Sequence, residues 1–378
     1  MLAALENGRI LTEEGVVEGW TLLIDNAAIS GLVAPDEIPA GARRRDLRGH
    51  LLVPGFIDTQ VNGGGGVLFN DSPTVEAIAT IGAAHRPFGT TGFLPTLISD
   101  DLHVVDQALR ATEQAIAQGV PGVLGVHIEG PFLNPKRKGI HDADKFRVID
   151  DEAVALLTSL KVGKTLVTLA PERTTPEMIR RLTDAGVILA AGHTNALYQT
   201  MRQALDHGLT GFTHLFNAMS PLTSREPGAV GAALESQDAW CGIIVDGRHV
   251  DPVTLRIALR TRPLDRFMLV TDAMPTVGMA DKQFDLQGRA IRVVDGVCVD
   301  EHGTLAGSDL DMVSAVRNAV ALLGLTLEDA VMMASHAPAA FLGLGGARGR
   351  IAPGYAADLC LLDGDLQVTA TWIDGQER

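Results

Sequence analysis

The sequence predicts an α/β protein: a (β/α)8 TIM barrel carrying a small β-sandwich domain formed by both termini. Three observations predict it. Eight apolar, strand-length runs alternate with helix-length amphipathic stretches between residues 51 and 274. Those runs are continuously apolar rather than alternating, the mark of parallel strands buried on both faces. Both ends of the chain read instead as short strands joined by tight turns, with no helical stripe.

At 378 residues, 46% hydrophobic and 20% charged, the chain can bury a large core, which excludes disordered and collagen-like classes. A formal net charge of −15 argues against a nucleic-acid partner, which needs a broad basic face. An anionic small molecule stays compatible, because a pocket needs only one or two local cations. Cys241, Cys298 and Cys360 are too few and scattered for a disulfide framework, so a reducing compartment is the simpler reading. No run reaches 18 apolar residues, and the opening MLAALENGRI carries Glu6 inside any would-be signal segment. The expectation is a cytoplasmic protein with no membrane partner.

In chain order, residues 1–50 hold an Asn7-Gly8 turn and the short runs 21–25 and 28–33. The barrel runs follow at 51–58, 92–98, 123–130, 165–172, 187–194, 211–216, 241–247 and 267–274. Helical stretches at 101–118, 151–160, 175–185 and 197–207 fill gaps between them. Eight strands over this length suit a closed barrel. A doubly wound dinucleotide fold would need a GxGxxG turn and a ribose-binding acid, and neither stands where it should. An inserted β-hairpin is expected over 283–305, with Asp295-Gly296 and His302-Gly303 as turns, then helices at 311–322 and 326–342. The expected division is 1–50 with 345–378 for the sandwich and 51–344 for the barrel.

Barrel enzymes carry their chemistry at the carboxyl ends of the strands, and here those ends are polar. The first run finishes on Asp58, Gln60 and Asn62; the third on His127 and Glu129; the fifth on His193. The sixth carries His214 and Asn217, the seventh Asp246 and His249, the eighth Asp272. Glu129, His193 and His214 form the best metal set, since one carboxylate and two imidazoles with an open position suit catalytic zinc. Any one of these histidines alone reads better as a strand cap; the three together, with Asp272, favour a metal. Asp272 can then accept a proton from a water acidified by the metal and return it to a leaving nitrogen; the bland alternative is a helix cap. His127 shares the Glu129 face and is read as structural rather than a ligand. The basic run Lys136-Arg137-Lys138 reads as a solvated loop, and Gly63 to Gly66 as an anion cradle or a mobile loop. His50, His85, His103, His207, His302 and His336 are assigned nothing.

The segments PGFIDTQVNG (54–63), HIEGPFLN (127–134), KGIHD (138–142), AGHTNA (191–196), THLFNAM (213–219), REPGAVG (225–231), DGRHVD (246–251), LVTDAM (269–274) and TLAGS (304–308) occur in that order. Together they resemble the N-acetylglucosamine-6-phosphate deacetylase family of the amidohydrolase superfamily. The likeness runs from about residue 50 to 363, where GRIAPGYAADLCLLD resembles the superfamily's closing segment. HIEGPF, THLFNAM and REPG are far more specific than PGFID.

The resemblance implies a metal at Glu129, His193 and His214, and proton transfer by Asp272. It implies substrate contacts from Ile140, His141, Asn217, Ala218, Arg225, His249, Leu305, Ala306 and Gly307. His141 could donate to the acetyl carbonyl as it becomes an oxyanion. The implied partners are a phosphorylated amino sugar and a second copy of the chain, a homodimer in which Arg225 reaches the phosphate held by the neighbouring subunit. Many superfamily members carry His-x-His after the first strand; here it is Gln60-Val61-Asn62. Neutral amides are poor zinc ligands, so one divalent metal per subunit, zinc for preference, is expected. The alternatives are another acylated sugar phosphate as substrate, a different amidohydrolase, or a scaffold without catalysis, the last disfavoured because all four central residues are present.

Overall fold

Of the eight apolar runs, each supplies one strand of a parallel sheet in a computed structural model that describes residues 2–378. In chain order these are β1 (Phe56–Val61), β2 (Thr90–Ile98), β3 (Gly125–Glu129), β4 (Lys164–Leu169), β5 (Ile188–Ala191), β6 (Gly211–Phe212), β7 (Trp240–Ile243) and β8 (Phe267–Leu269). Each pairs in parallel with the next, and every residue of β1, β2 and β3 is buried. Continuous apolar sequence and two-sided burial are thus the same fact. Between β8 and β1 the ladder shrinks to a single bridge, Val61 with Ala273, which closes the barrel.

Helices α1 (Val75–His85), α2 (Leu102–Ala117), α3 (Asp151–Leu157), α4 (Pro176–Asp184), α5 (Tyr198–Asp206), α6 (Gly228–Glu235), α7 (Pro252–Ala258) and α8 (Met312–Leu323) accompany the strands. Several start on side-chain caps, as where Asp150 accepts from Ala153 N and Thr175 from Met178 N. The single helix expected over 326–342 is two, α9 (Leu327–Ala334) and α10 (His336–Phe341), broken at Ser335. Pro338 explains the break, because its ring excludes the carbonyl four residues earlier and it has no N–H to give. α10 plugs the barrel floor, where Ala337, Phe341 and Leu342 pack on Ile57, Leu94 and Met268.

The chain ends form two β-sheets. One holds Ala28–Val33, Thr21–Asp25, Leu2–Glu6 and Arg43–Asp46; the other interleaves Gly15–Glu18, Arg9–Thr12 and Leu51–Pro54 with Leu359–Leu362, Val368–Ile373 and Gln376–Glu377. Leu5, Ile10, Leu22, Leu359 and Trp372 fill the space between them. The run 51–58 therefore divides at Gly55: Leu51–Pro54 pairs antiparallel with Leu359–Leu362, and only Phe56–Val61 enters the barrel. A side chain at 55 would collide with Thr91, its Cβ falling 2.2 Å from Oγ1.

The expected hairpin at 283–305 is a four-stranded antiparallel meander, Gln283–Leu286, Arg289–Val294, Val297–Val299 and Leu305–Ser308. Two left-handed pairs make its tight turns, Gln287-Gly288 (φ 53° and 78°) and Asp295-Gly296 (φ 52° and 85°). Ser308 bridges Ala273, so the meander is joined to the closing edge of the barrel. No helix among the described residues is long and apolar enough to cross a membrane.

β3 starts at a glycine for a reason that can be tested. Gly125 has φ +156°, and a Cβ there would sit 1.9 Å from the Lys164 carbonyl oxygen. Gly125→Ala should destabilise the protein by about 2–3 kcal/mol in denaturant titration; an unchanged midpoint would show that β3 and β4 can part without cost.

Candidate metal centre and catalytic cleft

Glu129 is the last residue of β3; His193, His214 and Asp272 stand just past the ends of β5, β6 and β8. All three of the latter have left-handed backbone, with φ of 46°, 33° and 53°. Such conformations cost side-chain-bearing residues on the order of 1–3 kcal/mol and persist only where the surroundings over-determine them. Here the surroundings do so through the backbone. Asn134 N donates to His193 O (3.0 Å), Asn217 N to His214 O (3.0 Å), and Asp272 N to Gln60 O (3.0 Å).

These turns aim three ligand atoms at one point. Glu129 Oε1 lies 2.9 Å from His214 Nε2 and 3.2 Å from His193 Nε2, and the two nitrogens are 3.2 Å apart. Ligand atoms around a tetrahedral ion bound at about 2.0–2.1 Å stand about 3.3 Å from one another, so the three edges fit such an ion. The ring orientation of His193 fits too. Its Nδ1 lies 2.8 Å from the Arg137 carbonyl, which can only accept, so Nδ1 carries a proton and Nε2 is the nitrogen that a metal would take. His214 Nδ1 is buried without a partner among the described residues, and Nε2 is turned to the carboxylate. Burial pushes the Glu129 carboxyl up, but the two imidazoles outweigh it and hold the group well below the usual carboxylate range. Burial pulls His214 down, yet its bond to Glu129 leaves it raised.

Asp272 stands beside this cluster. Its Oδ1 accepts from Asn62 Nδ2 (2.7 Å) and Gln60 Nε2 (3.1 Å), and the Gln60 amide also reaches Glu129 Oε2 (3.1 Å). Burial and then the nearby Glu129 charge push Asp272 up to about 6, against the pull of His214, His249 and the Asn62 hydrogen bond. The two amides thus turn N–H groups, not lone pairs, toward the carboxylates.

A cavity of about 230 Å³ opens over these residues, lined also by Ile140, His141, Asn217, Ala218, His249, Leu305 and Gly307. His141 Nδ1 accepts from Ser99 N (3.3 Å) and lies 2.8 Å from Ser99 Oγ, which leaves the other ring nitrogen to carry the proton. Burial, reinforced by His193, keeps His141 well below the ordinary histidine range and therefore neutral. His249 is fixed by Asp246, Nδ1 to Oδ2 at 2.5 Å. Ala306 is fully buried in the satellite core behind the cavity wall rather than lining it. Arg225 is not in the cleft of its own chain; it lies on the exposed loop before α6. The neighbouring Glu226 takes the N–H groups of Tyr198 (2.8 Å) and Gly228 (2.9 Å), which fixes that loop's shape. His127 sits below the cluster between Thr96 (3.2 Å) and Thr168 (2.7 Å).

Sequence reasoning passed over Ser99, which orients His141, and Glu172. The Glu172 carboxylate accepts from Asn134 Nδ2 (2.8 Å), Asn195 N (2.6 Å) and Thr194 Oγ1 (2.6 Å), locking the turn that carries His193. Both stand at the ends of apolar runs, so the same strand-end rule could have found them.

The profile of the amidohydrolase family matches residues 51–378. The chain belongs to the amidohydrolase family. This amidohydrolase is 44% identical to an N-acetylgalactosamine-6-phosphate deacetylase of Shewanella sp. (strain ANA-3), over 98% of its own length and 94% of the relative's. It is 34% identical to the N-acetylglucosamine-6-phosphate deacetylase of Haemophilus influenzae, over 100% of this chain and 99% of that one. In structure it is similar to the N-acetylglucosamine-6-phosphate deacetylase of Pasteurella multocida, with a TM-score of 0.96, 34% identity and 100% of both chains covered.

The convergence of three ligand atoms makes a direct prediction. His193→Ala should weaken metal retention at least about a hundredfold, judged by elemental analysis after dialysis. Full retention would remove His193 from the ligand set.

Proposed function

We propose that this amidohydrolase hydrolyses the acetamide of a phosphorylated N-acetyl amino sugar, releasing acetate and the free amine. N-acetyl-D-glucosamine 6-phosphate, giving glucosamine 6-phosphate, is the substrate to which the sequence motifs point. One observation carries the proposal: a half-buried carboxylate, Asp272, held beside a three-ligand cluster in a cleft that also presents the neutral, oriented His141. A divalent metal, zinc by the chemistry of the donors, would be held one per subunit by Glu129, His193 and His214, and when bound supplies Lewis acidity toward a carbonyl and acidifies water.

The rest of the chemistry belongs to the chain's own residues. Asp272 takes the proton of the attacking water on Oδ2; Gln60 and Asn62 hold the carboxylate in place through Oδ1. As the acetyl carbonyl oxygen gains negative charge, the His141 N–H stabilises it, its direction set by Ser99 at the opposite ring nitrogen. Asp272 then gives the proton to the nitrogen as the C–N bond breaks, so that an amine rather than an amide anion departs.

The phosphate needs cations, and the overall charge of −15 means that they must be local. His249 lines the chain's own cleft. Arg225, exposed and outside it, is proposed to serve the phosphate in the neighbouring subunit of a homodimer. A second reading of the sugar, N-acetylgalactosamine 6-phosphate, is favoured by the 44% identity to the Shewanella enzyme against 34% for the Haemophilus one. The two sugars differ at one hydroxyl, and the residues named above bear on the acetamide and the phosphate.

Acetate release from gluco- and galacto-configured N-acetyl sugars, each with and without the 6-phosphate, tests the proposal. Turnover is expected for a phosphorylated sugar and abolition in Asp272→Asn with metal retained; no release from either phosphorylated sugar would overturn it. Mixing Arg225→Ala with Asp272→Asn subunits should create hybrid dimers with activity that neither parent has. If Arg225 acts only within its own chain, the mixture stays inactive.

A further inference from the structure

The catalytic cleft straddles the weakest seam of the barrel. Every other neighbouring pair of strands shares at least two register partners, whereas β8 and β1 meet at one isolated bridge, Val61 with Ala273. Asp272 lies on one side of this seam and Gln60 on the other. Among the described residues, the backbone bonds between these strand ends gather at the upper end of the seam: Asp272 N to Gln60 O (3.0 Å), and Asn62 N (2.9 Å) and Gly63 N (3.0 Å) to Ala273 O. Below them the crossing is made by a side chain. Asp58, fully buried, accepts from Thr271 Oγ1 at 2.5 Å through Oδ2, and from Gln60 N (3.1 Å) and Thr271 N (3.4 Å) through Oδ1.

We infer that Asp58 is a positioning residue for the reaction: its carboxylate replaces the missing ladder between β8 and β1 and thereby fixes Asp272 and Gln60 relative to each other. The residues that it holds are the immediate neighbours of the reacting groups. Thr271 precedes Asp272, whose left-handed backbone would otherwise be free to relax. Gln60 sends its amide to both Asp272 Oδ1 and Glu129 Oε2. Thr271 is gripped from a third side as well, because Ser308 Oγ donates to its carbonyl (2.6 Å) and Ala273 N to its hydroxyl (3.2 Å). A buried carboxylate that serves only to stabilise the fold could be placed anywhere along β1. This one accepts only from residues adjacent to, or touching, the proton-transfer group. It does not touch the substrate cleft, whose lining omits it.

The inference takes the role proposed above for Asp272 as given, and two variants test it. Asp58→Asn keeps the shape but removes one acceptor; Thr271→Val keeps the bulk of its side chain and removes the hydroxyl. Each should lower kcat by about ten- to a hundredfold, as a displacement on the order of 1 Å does, with KM within about twofold and bound metal unchanged. The double variant should lose less than the product of the two single losses, since both cut the Asp58–Thr271 bond. Crystal structures of the variants should show Asp272 withdrawn from Gln60, a readout that needs no turnover.

Wild-type kcat in either folded variant, or an unmoved Asp272, overturns the inference. A loss of kcat that tracks loss of metal overturns it as well, because Asp58 would then be supporting the fold at large. If Asp58→Asn does not fold, Thr271→Val decides alone. Should the wild-type protein release no acetate from any sugar phosphate, the proposed function fails, and the position of Asp272 in the variant structures still decides the role of Asp58.

Discussion

A carboxylate buried between two imidazoles and within reach of a second carboxylate is the constraint on which the rest of this barrel depends. Removing ionised groups from water costs several kcal/mol each unless partners replace the solvent. Glu129 is 2% exposed and Asp272 shares its amide donor, so two like charges compete for one low-dielectric space. Four polar residues at the strand ends answer that problem. The imidazoles hold Glu129 ionised, Gln60 and Asn62 supply N–H groups to Asp272, and a cation among the three ligand atoms would complete the neutralisation.

Bringing these groups together from the ends of five different strands shapes the backbone. His193, His214 and Asp272 each leave the sheet through a left-handed turn. The same turns end the hydrogen-bonded ladders, which is why β6 is only Gly211–Phe212 and β8 only Phe267–Leu269. Strain therefore gathers where the chemistry is, and the loops that oppose it are tied by groups of their own. Glu172 locks the turn at His193, Ser308 the turn at Asp272, and the meander restrains the His141 loop through Arg289 Nη1 to Ile140 O (3.1 Å).

That coupling also explains what the sequence could reveal. Continuous apolar runs ending in His, Asp and Glu were enough to locate the barrel strands and to bring Glu129, His193, His214 and Asp272 together. The runs overshoot the true strands at 193, 214 and 272 because φ changes sign there, which apolar content does not record. The division at Gly55 was hidden because strands of both domains are equally apolar. The meander was read as one hairpin because Gln287-Gly288 is a weaker turn signal than Asp295-Gly296. The partners that fix tautomers were illegible for a different reason. His193 is set by the backbone carbonyl of Arg137, and any residue at 137 offers the same oxygen. Arg225 shows the opposite case: only the resemblance singled it out, and a single chain leaves it in solvent.

The pair Gln60 and Asn62 follows from the same electrostatics. An imidazole at either place would bring a lone pair toward a second cation. An amide facing two carboxylates can present only its N–H2 side, because the carbonyl oxygen would meet like charge. Gln60 Nε2, within 3.1 Å of both Glu129 and Asp272, is committed by that geometry. A second cation at this position would have to displace donors already satisfying both acids. The amides accordingly do by hydrogen bonding what a second positive charge would do by attraction, and they leave Asp272 Oδ2 as the oxygen not claimed by either amide. The proton transfer proposed for Asp272, in both directions, needs one such oxygen on a carboxylate held by neighbours that cannot themselves titrate. Neutral donors meet that need in a way that a second metal, which would draw the carboxylate into its own coordination, does not.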